Sequence, residues 1–89
     1  MKFDSDVVPE ALARLRRIEG QLGGIIRMID QGRDCEEVVH QLAAVGRATD
    51  RVGLRLLTGQ LKRCLADEEG ARGNGYEEDK FQRLFLMLT

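Results

Sequence analysis

Apolar residues recur at intervals of three and four positions along the first third of the chain, which is the spacing of one face of an α-helix. The series is Leu12, Leu15, Ile18, Leu22, Ile25, Ile26 and Ile29. Pro9 suits the first turn of a helix, and Gly32 offers a C-terminal stop. We therefore predict a first helix over about residues 9–31.

A second apolar series follows the seven-residue repeat of helices that pack along their whole length. It consists of Val38, Leu42, Val45, Thr49, Val52 and Leu56, with a second edge at Val39, Leu57, Leu61 and Leu65. Asp34 followed by Glu37 predicts a capping box that starts this helix at Cys35. We expect a second helix over about residues 35–66, and Gly59 is the position where a kink would interrupt it.

Residues 67–75 combine an acidic cluster with three glycines, which predicts a flexible connection. A shorter helix is expected over about residues 76–88, with an apolar side formed by Phe81, Leu84, Phe85 and Leu88. The pattern as a whole predicts an all-α fold, with a three-helix protomer in a single domain over residues 1–89. A chain of this size buries a modest fraction of its surface when it folds alone, so oligomerisation would help it.

The net charge of −1 conceals a segregation of charge along the chain. Residues 11–66 carry ten Arg or Lys and six Asp or Glu, whereas both ends are acidic. Arg47, Arg51 and Arg55 repeat every four residues and therefore line one face of the second helix. Such a stripe is usually a solvated face, but two copies related by symmetry would form a surface able to neutralise DNA phosphates.

Cys35 and Cys64 lie at opposite ends of the second predicted helix, about 40 Å apart along its axis. They meet only if a second copy runs antiparallel, which would bring Cys35 of one chain beside Cys64 of the other. Cys35 would feel the positive helix N-terminus, which favours a thiolate, while Glu36 and Glu37 oppose it. The alternative hypothesis is that each cysteine is only a small apolar residue packed in the core.

The cysteine count and the absence of a signal-peptide pattern predict a reducing, cytoplasmic location with free thiols. No apolar run has membrane length, so no membrane association is expected. His40 is the only histidine and points to a different helix face from Cys35. Because no base or oxyanion donor accompanies the thiols, an enzyme is not predicted.

The stretch ARLRRIEGQLGGIIRMI, then Cys35, then HQLAAVGRATDRVGLRLLTGQLKRC, resembles the CsoR/RcnR/FrmR family of bacterial transcriptional repressors. The resemblance implies an antiparallel dimer that forms a four-helix bundle, and usually a homotetramer of two such dimers. It also implies binding to double-stranded operator DNA until an inducer engages the inter-subunit site. Arg14 and Arg51 fall on positions associated with DNA binding in relatives, and we add Arg17, Arg47 and Arg55 on charge grounds.

The resemblance also bears on the inducer. Copper(I) sensors of the family use a Cys, a His and a second Cys four residues later, and here Gln60 stands where the His is expected. An amide oxygen is a poor ligand for copper(I), so the pair Cys35 and Cys64 is most similar to the persulfide-sensing branch. We predict a repressor switched by sulfane sulfur without a required cofactor. The alternatives are copper(I) bound by the two thiolates, and a thiol carrier for copper or sulfur that never binds DNA.

Overall fold

The computed structural model describes residues 1–88. These residues form four helices and contain no β-strand: α1 spans Val8–Asp30, α2 spans Cys35–Ala66, α3 spans Glu68–Gly73 and α4 spans Glu78–Met87. The all-α fold predicted from the apolar spacing is therefore confirmed. The flexible connection expected after residue 66 is wrong in part, because six residues of it form α3.

The turn between α1 and α2 is built from the residues that the sequence singled out. Gly32 has a φ of +70°, and the N–H of Arg33 donates to the carbonyl of Met28 at 2.9 Å, as in a Schellman motif. Asp34 then caps α2 by accepting from the N–H of Glu36 at 3.0 Å. The prediction of a capping box is wrong, because the Glu37 side chain pairs with Arg33 at 3.1 Å instead of bonding to the backbone N–H of Asp34.

Two separate apolar clusters hold the helices together. The first lies between α1 and the first two thirds of α2, which pack as an antiparallel hairpin, and contains Ala11, Ile18, Ile25, Val45 and Val52. The second joins the end of α2 to α3 and α4 through Leu57, Cys64, Ala71 and Phe81. Each cluster is small, so neither half of the molecule has a deep interior.

The helix α2 is continuous over 32 residues and does not break at Gly59. It gives the molecule its long axis, since the principal extents are 54 × 23 × 14 Å. The shortest extent is little more than the diameter of one helix with its side chains. Much of each predicted apolar series is consequently uncovered, including Leu22, Leu42 and Leu65, which are 42%, 46% and 59% exposed. Within residues 1–88 no helix is long and apolar enough to cross a lipid bilayer.

Candidate functional site: two thiols, a basic face and a buried glutamine

The two cysteines occupy opposite ends of α2 in contrasting surroundings. Cys35 is the first residue of the helix and is exposed, whereas Cys64 lies in its last turn and is only 3% exposed. The continuous helix separates them by about 40 Å. Within one chain they therefore do not contact each other.

Cys64 is enclosed by apolar side chains and by one polar residue. Leu57, Ala71 and Phe81 belong to its apolar cluster, and Phe81 is itself packed against Tyr76 and Phe85 with ring centroids 5.7 and 5.6 Å apart. Cys64 also has a polar contact with Gln60, one helical turn earlier, whose Nε2 lies 3.9 Å from the Cys64 sulfur. A thiol in this position is shielded from reagents in solution.

Gln60 is as buried as the thiol, at 3% exposure, and both ends of its amide are used. Its Oε1 accepts from the backbone N–H of Asp4 at 2.7 Å, and its Nε2 donates to the carbonyl of Lys2 at 3.3 Å. The sequence indicates this residue only as the replacement of an expected ligand. Its partners lie more than fifty positions earlier in the chain, so no local pattern could have revealed its role.

Residues 1–6, which we call the N-terminal segment, cross the end of α2 and are fixed by further polar contacts. The Asn74 side chain accepts from the N–H of Lys2 at 3.2 Å and donates to the carbonyl of Lys2 at 2.7 Å. Arg63 pairs with Asp4 at 3.5 Å and with Asp6 at 2.9 Å. The N–H of Asp6 donates to the Asp4 carboxylate at 3.0 Å; this hydrogen bond, and then the charge of Arg63, lower the pKa of Asp4 below its ordinary value.

The predicted DNA-binding arginines are all exposed, and the structure brings two of them together. Arg14 on α1 and Arg55 on α2 both pair with the same carboxylate oxygen of Glu10, each at 3.1 Å. In the part of the chain that the structure describes, Arg17, Arg47 and Arg51 make no ion pair. Glu10 was not predicted as part of this surface: its spacing of four residues from Arg14 could have indicated that pair, whereas Arg55 is 45 positions away.

No described group of three or more His, Cys, Asp or Glu side chains in residues 1–88 has the arrangement of a metal site. His40 is exposed on α2, as expected for a surface residue.

Residues 8–86 match the protein family described as metal-sensitive transcriptional repressors, and the chain belongs to that family. It is 42% identical over 62 residues to the copper-sensing transcriptional repressor RicR of Mycobacterium tuberculosis, covering 70% of this chain and 65% of that protein. The copper-sensing transcriptional repressor CsoR of Bacillus subtilis is 43% identical over 54 residues, covering 61% of this chain and 54% of the relative.

The chain thus spans between about a half and two thirds of the length of these curated relatives. No solved structure matches this chain. The family resemblance noted in the sequence is confirmed, and it extends through α3 and most of α4.

Proposed function

We propose that the protein is a cytoplasmic transcriptional repressor that binds operator DNA as a homodimer or homotetramer and releases it when sulfane sulfur reacts at Cys35 and at Cys64 of the partner subunit. One observation carries this proposal: both thiols lie at opposite ends of a single continuous helix. Antiparallel pairing of two such helices would place unlike thiols side by side at each end. The family to which the chain belongs is one of repressors, and we propose no enzymatic activity.

The exposed apolar side chains support the pairing of two chains. At the end of the hairpin that is far from α4, Ile26, Ile29 and Val39 are 61%, 58% and 58% exposed, and Leu22 and Leu42 are nearly half exposed. An apolar surface of this kind on a small soluble protein usually marks an interaction site. A second copy laid against α1 and α2 would cover these residues and complete a four-helix bundle.

The arginines support binding of DNA. Arg17, Arg47 and Arg51 are exposed and carry no acidic partner within residues 1–88, while Arg14 and Arg55 share a single carboxylate. In a symmetric assembly these charges would be repeated on both chains. Neutralisation of several phosphates would then supply an affinity that falls steeply with salt.

The proposed switch is an exchange of sulfur bonds. The Cys35 thiolate attacks a sulfane sulfur atom of a polysulfide, a sulfur–sulfur bond of the donor breaks, and the shortened polysulfide leaves with the electron pair. The thiolate of Cys64 of the partner subunit then attacks the Cys35 sulfur and displaces hydrosulfide. The product is an inter-subunit disulfide, the polysulfide is the oxidant, and the new bond biases the bundle toward an arrangement with lower DNA affinity.

The test is a gel shift with the DNA upstream of the protein's own operon, before and after polysulfide treatment. We expect Cys35→Ser to bind this DNA as the unmodified protein does and to remain bound after treatment. Intact mass should show a crosslinked dimer in the wild type and none in the variant. Loss of DNA binding by Cys35→Ser after polysulfide treatment would refute the switch.

Copper(I) is the second candidate inducer, and the names of the relatives RicR and CsoR favour it. In this chain the two thiolates would be the soft ligands that copper(I) prefers. Gln60 does not fit as a third ligand, because its amide oxygen and nitrogen are both bound to the backbone of the N-terminal segment. Anaerobic titration of the reduced protein decides between the inducers: tight stoichiometric binding that releases DNA would favour copper(I).

A thiol carrier for copper or sulfur is the candidate from another functional class, and exposed Cys35 favours it because a carrier must exchange its cargo. The same gel shift separates the two classes. A carrier would give no specific complex that weakens with salt.

A further inference from the structure

Cys64 is covered in two physically different ways. On one side lie the apolar side chains of Leu57, Ala71 and Phe81, which join three helices. The second cover is Gln60, which contacts the Cys64 sulfur and is itself bonded to the N-terminal segment. Asp4, Gln60, Cys64 and Asn74 border one cleft of about 380 Å³. Because Cys64 is 3% exposed, one of these covers must move before the thiol can react.

The two covers differ in how readily they open. Removing the apolar cover separates α3 and α4 from α2 and exposes a hydrophobic cluster, which approaches unfolding of that half of the molecule. Removing the N-terminal segment exposes no buried apolar side chain of its own, because Met1 and Phe3 are already 47% and 46% exposed. Its contacts with Asn74 are exposed, and its pairs with Arg63 join side chains that are 32% to 65% exposed, so solvent weakens both.

The contacts of Gln60 are the ones that solvent does not weaken in this way. Its amide is buried and bonds to the segment at two residues, Lys2 and Asp4. Since a side-chain amide carries an acceptor and a donor on two separate atoms at neutral charge, glutamine matches both backbone partners. The same amide nitrogen also contacts the Cys64 sulfur. One side chain therefore both holds the segment and contacts the thiol.

We propose that Gln60 is the latch that holds the N-terminal segment over Cys64, and that release of this latch controls when the Cys64 thiol becomes accessible. The functional importance of that access rests on the proposed role of Cys64 in the switch. The latch itself is a property of one chain. It identifies Gln60 as a positioning residue of the sensing site, where sequence comparison alone suggests only a missing histidine.

The test measures alkylation of Cys64 by iodoacetamide in the reduced full chain, by peptide mass spectrometry, with exposed Cys35 as the internal reference. We expect Gln60→Ala to raise the Cys64 rate about tenfold relative to Cys35, because both hydrogen bonds from the buried Gln60 to the segment are lost. The matched control is Gln41→Ala, at an exposed position near the other end of α2, which should leave the ratio unchanged. An unchanged ratio in Gln60→Ala would overturn the proposal.

A second measurement separates release of the latch from general loosening of the fold. Hydrogen exchange should show the Asp4 amide protected in the wild type and unprotected in Gln60→Ala, with the Val45 and Val52 amides equally protected in both. If Gln60→Ala does not fold, Gln60→Met replaces it, since this change keeps the side-chain volume and removes both hydrogen bonds to the segment. Failure of Gln60→Met to speed Cys64 labelling, or an unprotected Asp4 amide in the wild type, would contradict the latch.

These experiments use neither DNA nor a sulfur donor. A negative result therefore removes the latch and leaves the repressor proposal to the gel shift. A gel shift without a specific complex would remove the repressor proposal and would not change the alkylation and hydrogen-exchange results for the latch.

Discussion

The carboxylate of Glu10 lies between two of the arginines that are proposed to contact DNA. Arg14 and Arg55 approach the same oxygen at 3.1 Å, so the three side chains together carry one net positive charge. All three are substantially exposed, at 44%, 59% and 63% for Arg14, Arg55 and Glu10, which makes these pairs weak and easily exchanged for other anions. We predict that Glu10 competes with DNA phosphate for both arginines and that Glu10→Gln strengthens DNA binding.

The magnitude follows from the charge. Glu10→Gln raises the local charge from one to two, which corresponds to one further phosphate neutralised per protomer in contact with DNA. Each such contact steepens the dependence of log affinity on log salt by about 0.9 for duplex DNA. Over a rise in salt from about 50 to about 200 mM, one added contact would cost about three- to fourfold in affinity, and the gain is therefore largest at low salt.

The assay is fluorescence anisotropy of labelled duplex DNA titrated with protein at several salt concentrations. Glu19→Gln is the matched control, because Glu19 is an exposed residue of α1 with no ion pair among residues 1–88 and loses the same charge. The slope should steepen for Glu10→Gln and change little for Glu19→Gln. Weaker binding by Glu10→Gln would show instead that the carboxylate orders the arginines, and an unchanged slope would remove Arg14 and Arg55 from the DNA surface.

Three further predictions concern stability and pH. Phe81→Ala should lower the free energy of unfolding by about 3–5 kcal/mol in chemical denaturation, because a 3% exposed ring is lost, whereas exposed Phe3→Ala should cost less than about 0.5 kcal/mol. Asp34→Ala should cost about 1 kcal/mol through the lost helix cap, and the exposed mid-helix change Asp50→Ala much less; equal effects would argue against capping. NMR titration of the carboxyl group should give Asp4 a midpoint below 3.8, because its pKa is lowered in the folded protein. The ionised carboxylate therefore stabilises the folded state fully above pH 3.8, and this stabilisation is lost as the pH falls through the lowered pKa. A midpoint at or above 3.8 would contradict the contacts described.

Local patterns predicted the parts of the fold that depend on local physics. Gly32 marked the left-handed turn and Asp34 marked the helix cap, because each satisfies backbone groups within a few residues of itself. The heptad predicted α2, but it did not show which of its positions are buried. Val45 and Val52 are in the core, whereas Leu42 is 46% exposed, because α1 covers only part of the apolar stripe.

The parts that the sequence did not reveal depend on contacts between distant residues. The glycines after residue 66 favoured a loop, yet Asp67 caps α3 by accepting from the N–H of Gly70 at 3.0 Å, and Ala71 is buried in the second cluster. The role of Gln60 and the position of Glu10 were missed for the same reason. Both act on residues more than forty positions away, and composition carries no information about such pairs.

The unbroken course of α2 has a mechanical consequence. Its 32 residues extend for about 48 Å, and they carry Arg47, Arg51 and Arg55 between the two cysteines on one stiff rod. A tilt of only about 5° around one end of such a rod displaces the other end by about 4 Å. This displacement exceeds the donor–acceptor distance of a hydrogen bond, which is about 3 Å. A small rotation forced at either terminus would thus act as a lever, and it would shift the guanidinium groups without any residue in between having to change its conformation.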